Sequence, residues 1–296
     1  GSVSLAGDVT GNGVLTANDL TINENSAELV RIENRVVTDF LTVNEDTVFD
    51  QSVLVESSLE ASDVRISGDG DIEVMADFGS RAAINFNFGN AIGDTIALGT
   101  NLSLFTGDLN LVNPTNSTNF LSIEDGATLT LSDDSEATFD NTAITGGGKV
   151  VIQDGSRITT SRAVLINTDL TFLNADRGLS DTRAALSVES GELKLSDTTF
   201  KRDSGMLGMP VDQSTDTLFT VAEVASVTLD AGNSITVTND FVRFNGGGTL
   251  NLGGTIQVEE NAIFENRNTI NIADDANIAG EDLFRNRGTI LVEEDT

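Results

Sequence analysis

Two kinds of acidic constellation in this sequence have spacings that could do chemistry. The first is Asp8-Val9-Thr10-Gly11-Asn12-Gly13, running on to Asp19, which follows the skeleton of an EF-hand-type calcium loop. Asp8 stands at position 1, Thr10 at 3, Asn12 at 5, the turn glycine Gly13 at 6 and Asp19 at 12. Positions 3 and 5 are neutral here, position 12 has the shorter Asp, and no second copy follows. The same residues therefore also read as a corner between strands at Leu5 and Leu20. The second kind is the close acid pair: Asp69/Asp71, Asp133/Asp134 and Asp274/Asp275. Paired carboxylates can supply the acid and base of glycoside hydrolysis. Each of these pairs, however, lies beside Gly, Ser or Ala, where Asp is ordinary turn chemistry.

The chain contains no His, Cys, Trp or Tyr. That removes the commonest general base, the commonest zinc ligands, thiol chemistry and the usual sugar-stacking rings. A non-enzymatic role is expected, with a polysaccharide lyase or hydrolase as the enzymatic alternative. Asp and Glu number 47 against 16 Lys and Arg, a formal net charge of -31. Such a charge repels nucleic acid and anionic membrane surfaces and keeps exposed strand edges from aggregating. Neither nucleic acid nor direct membrane insertion is expected. No run approaches the roughly 18 apolar residues of a membrane span, and possible calcium is the only cofactor that the residues suggest.

What positions these residues is a repeat. Phe244, Phe264 and Phe284 stand twenty positions apart, each followed by the same run: Thr249-Leu250-Asn251-Leu252, Thr269-Ile270-Asn271-Ile272 and Thr289-Ile290-Leu291-Val292. A unit of about 20 residues made of a Phe, a turn and an alternating strand cannot bury its apolar face alone, so it must stack on copies of itself. The spacing predicts an all-β fold, a single parallel β-helix (β-solenoid) over 1–296 with rungs of about 20–23 residues. The Phe series predicts an interior aromatic stack, and Asn266 and Asn286 an amide ladder.

Upstream, Val3-Ser4-Leu5, Leu20-Thr21-Ile22, Leu41-Thr42-Val43 and Val64-Arg65-Ile66 read as successive rungs, with second strands at Leu29–Ile32, Val53–Val55 and Ile72–Val74. Ile84-Asn85-Phe86, Leu102-Ser103-Leu104 and Leu121-Ser122-Ile123 continue the phase. The run from Leu121 to Asp133 returns, one residue shorter, from Leu186 to Asp197. Gly126, Gly155, Gly191 and Gly232 occupy corners that need positive φ. Two stretches break the rhythm as lateral loops, 112–119 and 203–217. Met206, Leu207 and Met209 in the second offer an adaptable contact surface. Residues 82–148 hold no Lys or Arg, while half of the chain's basic residues fall between Lys149 and Arg202.

Phe284-Arg285-Asn286-Arg287-Gly288-Thr289-Ile290, its variant at 264–270, and the strand-turn-strand run at 227–237 resemble rungs of bacterial surface β-helices. These are the autotransporter passengers and filamentous haemagglutinin-type adhesins. The resemblance implies a right-handed coil, export to the bacterial cell surface or beyond, and adhesive or structural duty; it carries over no catalytic residue. The loop at Asp8 also resembles one half of a dockerin. The chain opens in strand at Val3 and Leu5 and closes in strand at Ile290 and Val292, with no amphipathic helix at either end. Either it is part of a longer rod, or these edges meet in the next molecule and the protein polymerises head to tail with itself. The alternative is a rod segment of a larger adhesin that binds other surface proteins or glycans through the loop at 203–217.

Overall fold

Alternation of apolar and polar residues over short runs, punctuated by Gly, Asn and Asp, leaves little choice but strand and turn. The computed structural model describes residues 1–23, 29–62, 64–88, 95–112, 119–173, 184–201, 217–259 and 261–292. Among them there are strands and turns but no helix. The chain forms two compact units, Gly1–Val150 and Val151–Thr296. Each is a parallel β-helix whose coils carry three strands, so each has three parallel ladders.

In the first unit, one ladder runs from Ser2–Leu5 through the second halves of Val14–Ile22, Arg35–Val43 and Val53–Ser62. It continues through Ala82–Asn87 and Gly107–Val112 to Glu136–Asp140. A second runs from Val30–Ile32 through Thr47–Phe49, Arg65–Ser67, Thr95–Gly99 and Asn119–Ile123 to the start of Thr142–Gln153. The third takes the first halves of the three long strands and then Ile72–Met75, Leu102–Phe105 and Thr128–Ser132. In the second unit the ladders end at Leu283–Asn286, Thr289–Val292 and Asn277–Gly280.

Inward residues are buried and outward ones are not, as in Ala82–Asn87, where burial alternates strictly. Thr249, Thr269 and Thr289 are stacked in register, with Asn251 on Asn271 beside them. Gly126, Gly155, Gly191 and Gly232 all have positive φ, at 84°, 76°, 75° and 88°. Corners are tied by short hydroxyl bonds: Thr47, Thr142 and Thr198 each donate to the carbonyl two residues back, at Glu45, Asp140 and Ser196.

The structure corrects the phase of several rungs. Leu41 lies under Leu59, not Ile66, because that coil closes in eighteen residues; Val64-Arg65-Ile66 belongs to the second ladder, with Ile66 on Thr47. Ile84, Leu102 and Leu121 fall on three different ladders instead of one. All three sides bury the same alternating pattern, so the pattern identifies a strand without saying which side it forms. Val112 and Asn119 end and begin strands, and Thr217 begins one. The rest of the two predicted loops, including Met206, Leu207 and Met209, lies outside the described residues.

Candidate functional site

The predicted calcium ligands are not gathered. Val14–Ile22 is an extended strand, so the second half of the loop cannot curl round an ion. The Asp8 carboxylate accepts the Arg31 backbone N–H at 2.7 Å, beside the second ladder, and the Asp19 carboxylate accepts the Ser2 hydroxyl at 2.7 Å on the first. Thr10 is exposed, and Asn12 lines a shallow hollow with Gly13, Val14, Arg35 and Gln51. Among the described residues, no three His, Cys, Asp or Glu side chains stand close enough to share a metal ion. Of the acid pairs, Asp133 and Asp134 are both left-handed turn residues, at φ 54° and 64°, and Asp71 accepts from the Asn101 amide at 2.9 Å.

Val3 and Leu5 lie in the strand Ser2–Leu5, and Ile290 and Val292 in the strand Thr289–Val292. Val3 and Leu5 point inward and lie on Leu20 and Ile22, while Ile290 and Val292 lie on Ile270 and Ile272. Ser2–Leu5 pairs with one neighbour only, as do Asn277–Gly280, Leu283–Asn286 and Thr289–Val292, among the described residues. Inward residues of these outermost strands are consequently half-open: Ile290 is partly exposed and Val292 is 65% exposed.

Inside the second unit the aromatic stack is longer than the repeat reveals. Rings of Phe172, Phe200, Phe219, Phe244, Phe264 and Phe284 follow one another with centroids 4.7, 6.1, 5.0, 6.5 and 5.7 Å apart. The register at Phe244 differs from equal spacing. Phe264 sits on Val242, and Phe244 lies under Asn266. Gly246-Gly247-Gly248 lengthens that coil to twenty-two residues at this side, and the ring of Phe244 leans to stay in the stack. Asn266 is fully buried, and its amide donates to the Asn286 side-chain oxygen at 2.8 Å. A parallel outward ladder joins Asn271 to Asn251 at 3.0 Å.

The largest electrostatic feature was not singled out from the sequence. Glu265, 1% exposed, lies in the strand Ile263–Asn266 with Arg243 below it and Arg285 above it in register. Arg267 donates through Nε to Glu265 Oε1, and Arg285 donates to Oε2 at 3.1 Å. Nε of Arg287 stands 3.3 Å from Oε2, and Nε of Arg243 stands 3.6 Å from Oε1. Burial alone would raise the Glu265 carboxyl; hydrogen bonds from Arg267 and Arg285, with the charges of Arg267 and Arg287, outweigh it and hold the group below its ordinary value. In the first unit, Arg65 grips Glu124 through both carboxylate oxygens at 2.6 Å and lowers its pKa in the same way.

These shifts fix a sign. A carboxylate whose folded pKa lies below its unfolded value, about 4.3 for Glu, stabilises the fold fully above that value and loses the contribution as pH falls through the folded one. Thermal unfolding followed from pH 7 to pH 2 should therefore show stability falling below about pH 4. A Glu265→Gln variant should show a shallower acid slope than the wild type. Equal slopes would mean that the cluster does not contribute.

No family model, curated protein or solved structure matches this chain.

Proposed function

We propose that this protein is a non-catalytic structural or adhesive element, exported by a bacterium, whose coils continue from molecule to molecule by end-to-end strand pairing. The observation that carries this reading is the pair of open edges. Among the described residues, Asn277–Gly280, Leu283–Asn286 and Thr289–Val292 each pair on one side only, over a partly exposed apolar interior. Such an edge is a template for another strand. Ser2–Leu5 offers the matching pattern, with Val3 and Leu5 inward as Ile290 and Val292 are inward.

Charge favours ends over sides. A net charge of -31 opposes lateral association, whereas the inward residues of the end strands are apolar, Val3 and Leu5 at one end and Ile278, Phe284 and Ile290 at the other. A heterologous contact of this kind does not close on itself and propagates as a filament. The lack of His, Cys, Tyr and Trp supports a role other than catalysis.

Replacing Ile290 and Val292 together by Asp places two charges where the next coil must bury side chains. Sedimentation velocity across a concentration series should show the wild type growing in size and the double variant staying at the monomer value. If both sediment alike at every concentration, the edges are not the contact.

A further inference from the structure

The cluster around Glu265 holds more positive charge than its one carboxylate uses. Among the described residues, the guanidiniums of Arg267, Arg285 and Arg287 have no hydrogen-bond or ion-pair partner other than Glu265. A guanidinium carries five N–H donors in a rigid fork, and a carboxylate can accept about four bonds. Leaving aside Arg243, which also stands 3.6 Å from Oε1, three guanidiniums on one carboxylate leave a surplus of two charges and unused donors among the described residues. Glu265 is sealed beneath them, while Arg287 is 55% exposed and Arg267 39%. Holding like charges together costs stability unless an anion shares them.

We propose that the outward side of Arg267, Arg285 and Arg287 is an oxyanion-binding site. It takes a carboxylate, sulfate or phosphate group, and Glu265 is the positioning residue that gathers the guanidiniums. Three features favour this chemistry. Guanidinium forks match planar and tetrahedral oxyanions, often through two bonds at once. Arg267 and Arg287 occupy equivalent positions of successive coils and Arg285 lies next to them, so donors converge from two layers about 4.8 Å apart. Glu265 itself shows that these arginines turn toward one oxyanion from several directions. The repulsion of the distant acidic groups is screened beyond roughly 8 Å at physiological salt, so the local surplus governs close approach. Arg285 belongs to the edge strand Leu283–Asn286, but the guanidiniums gather on the outward side around Glu265, so the site does not need end-to-end pairing.

The test uses the full chain and titrates sodium sulfate against sodium chloride at matched ionic strength, followed by calorimetry and thermal shift. Wild type should show saturable sulfate binding. Arg287→Gln should weaken it at least about threefold through loss of one charged donor. Glu265→Gln should weaken it as well, although the site becomes more positive, because the guanidiniums lose the carboxylate that gathers them. A second arm compares dextran sulfate with uncharged dextran. Dextran sulfate binding that Arg287→Gln weakens, without saturable binding of inorganic sulfate, would assign the oxyanion to a polymer. An equal response of wild type and both variants would mark a general salt effect and overturn the proposal, as would no binding in either arm. Circular dichroism checks that each variant is folded; if Glu265→Gln is not, Arg287→Gln, at an exposed position, decides alone.

Discussion

Phe200→Ala should destabilise the second unit by about 3–5 kcal/mol, the range for removing a buried aromatic side chain. Phe200 is fully buried, lies 4.7 Å from the Phe172 ring at an interplanar angle of 7°, and faces Phe219 on its other side. Truncation removes two ring contacts at once. The backbone cannot collapse to close the gap, because strand spacing within a ladder is fixed by hydrogen bonds. In a stacked-coil protein each layer is supported by its neighbours, so the defect should weaken the coils on both sides. With no Trp or Tyr in the chain, the emission of its 15 phenylalanines can be followed without interference from other aromatic residues. Urea unfolding followed by that signal should show the transition moved to lower denaturant. A shift below about 1 kcal/mol would mean that the rings pack loosely and do not hold the coils together.

Gly146→Ala should cost about 3 kcal/mol or more in the first unit. Gly146 has φ 114°, a region open only to glycine, and a Cβ there would lie 2.0 Å from the carbonyl oxygen of Ile123 in the coil below. The contact is with backbone, so no side-chain rotation relieves it. The same device recurs where other strands leave their ladders. A Cβ at Gly68 would meet the Phe49 carbonyl oxygen at 2.1 Å, and one at Gly280 would meet that of Val258 at 1.9 Å. A control at Gly126, where φ is also positive but nothing lies within 4 Å, separates backbone strain from collision. Thermal unfolding should show Gly146→Ala well below Gly126→Ala. If the two fall together, collision adds nothing and the coils can part at no cost.

The last coils were legible on the side where their length is constant: from Thr249 through Thr269 to Thr289 the register advances by twenty at each step, so residue type and position coincide there. Asn266 and Asn286 could be paired from spacing alone for that reason. The first unit resisted because a coil can close in eighteen residues between Leu41 and Leu59 or in twenty-eight between Gly107 and Ser135, and corners absorb the difference. The aromatic stack below Phe244 escaped for the same reason, since the steps among Phe172, Phe200 and Phe219 are unequal.

The arginine cluster was written in the repeat itself. Phe264-Glu265-Asn266-Arg267 and Phe284-Arg285-Asn286-Arg287 are the same rung with one charge reversed. Opposite charges at one position of adjacent coils must meet in the ladder. The apolar frame of the rung identifies the coil but carries no information on the residue between Phe and Asn. The glycines at 68, 146 and 280 were hidden for a different reason: their need for glycine arises from a carbonyl one coil away, which local turn chemistry does not reveal.

On the proposed function, the edges at Ser2–Leu5 and Thr289–Val292 join copies of the chain into a continuous coil. Negative-stain electron microscopy of the purified protein across a concentration series tests it most directly. Unbranched fibres one coil wide, lengthening with concentration and absent from the variant with Asp at positions 290 and 292, are the predicted result. Separate particles of one size at every concentration, identical for wild type and variant, would contradict it.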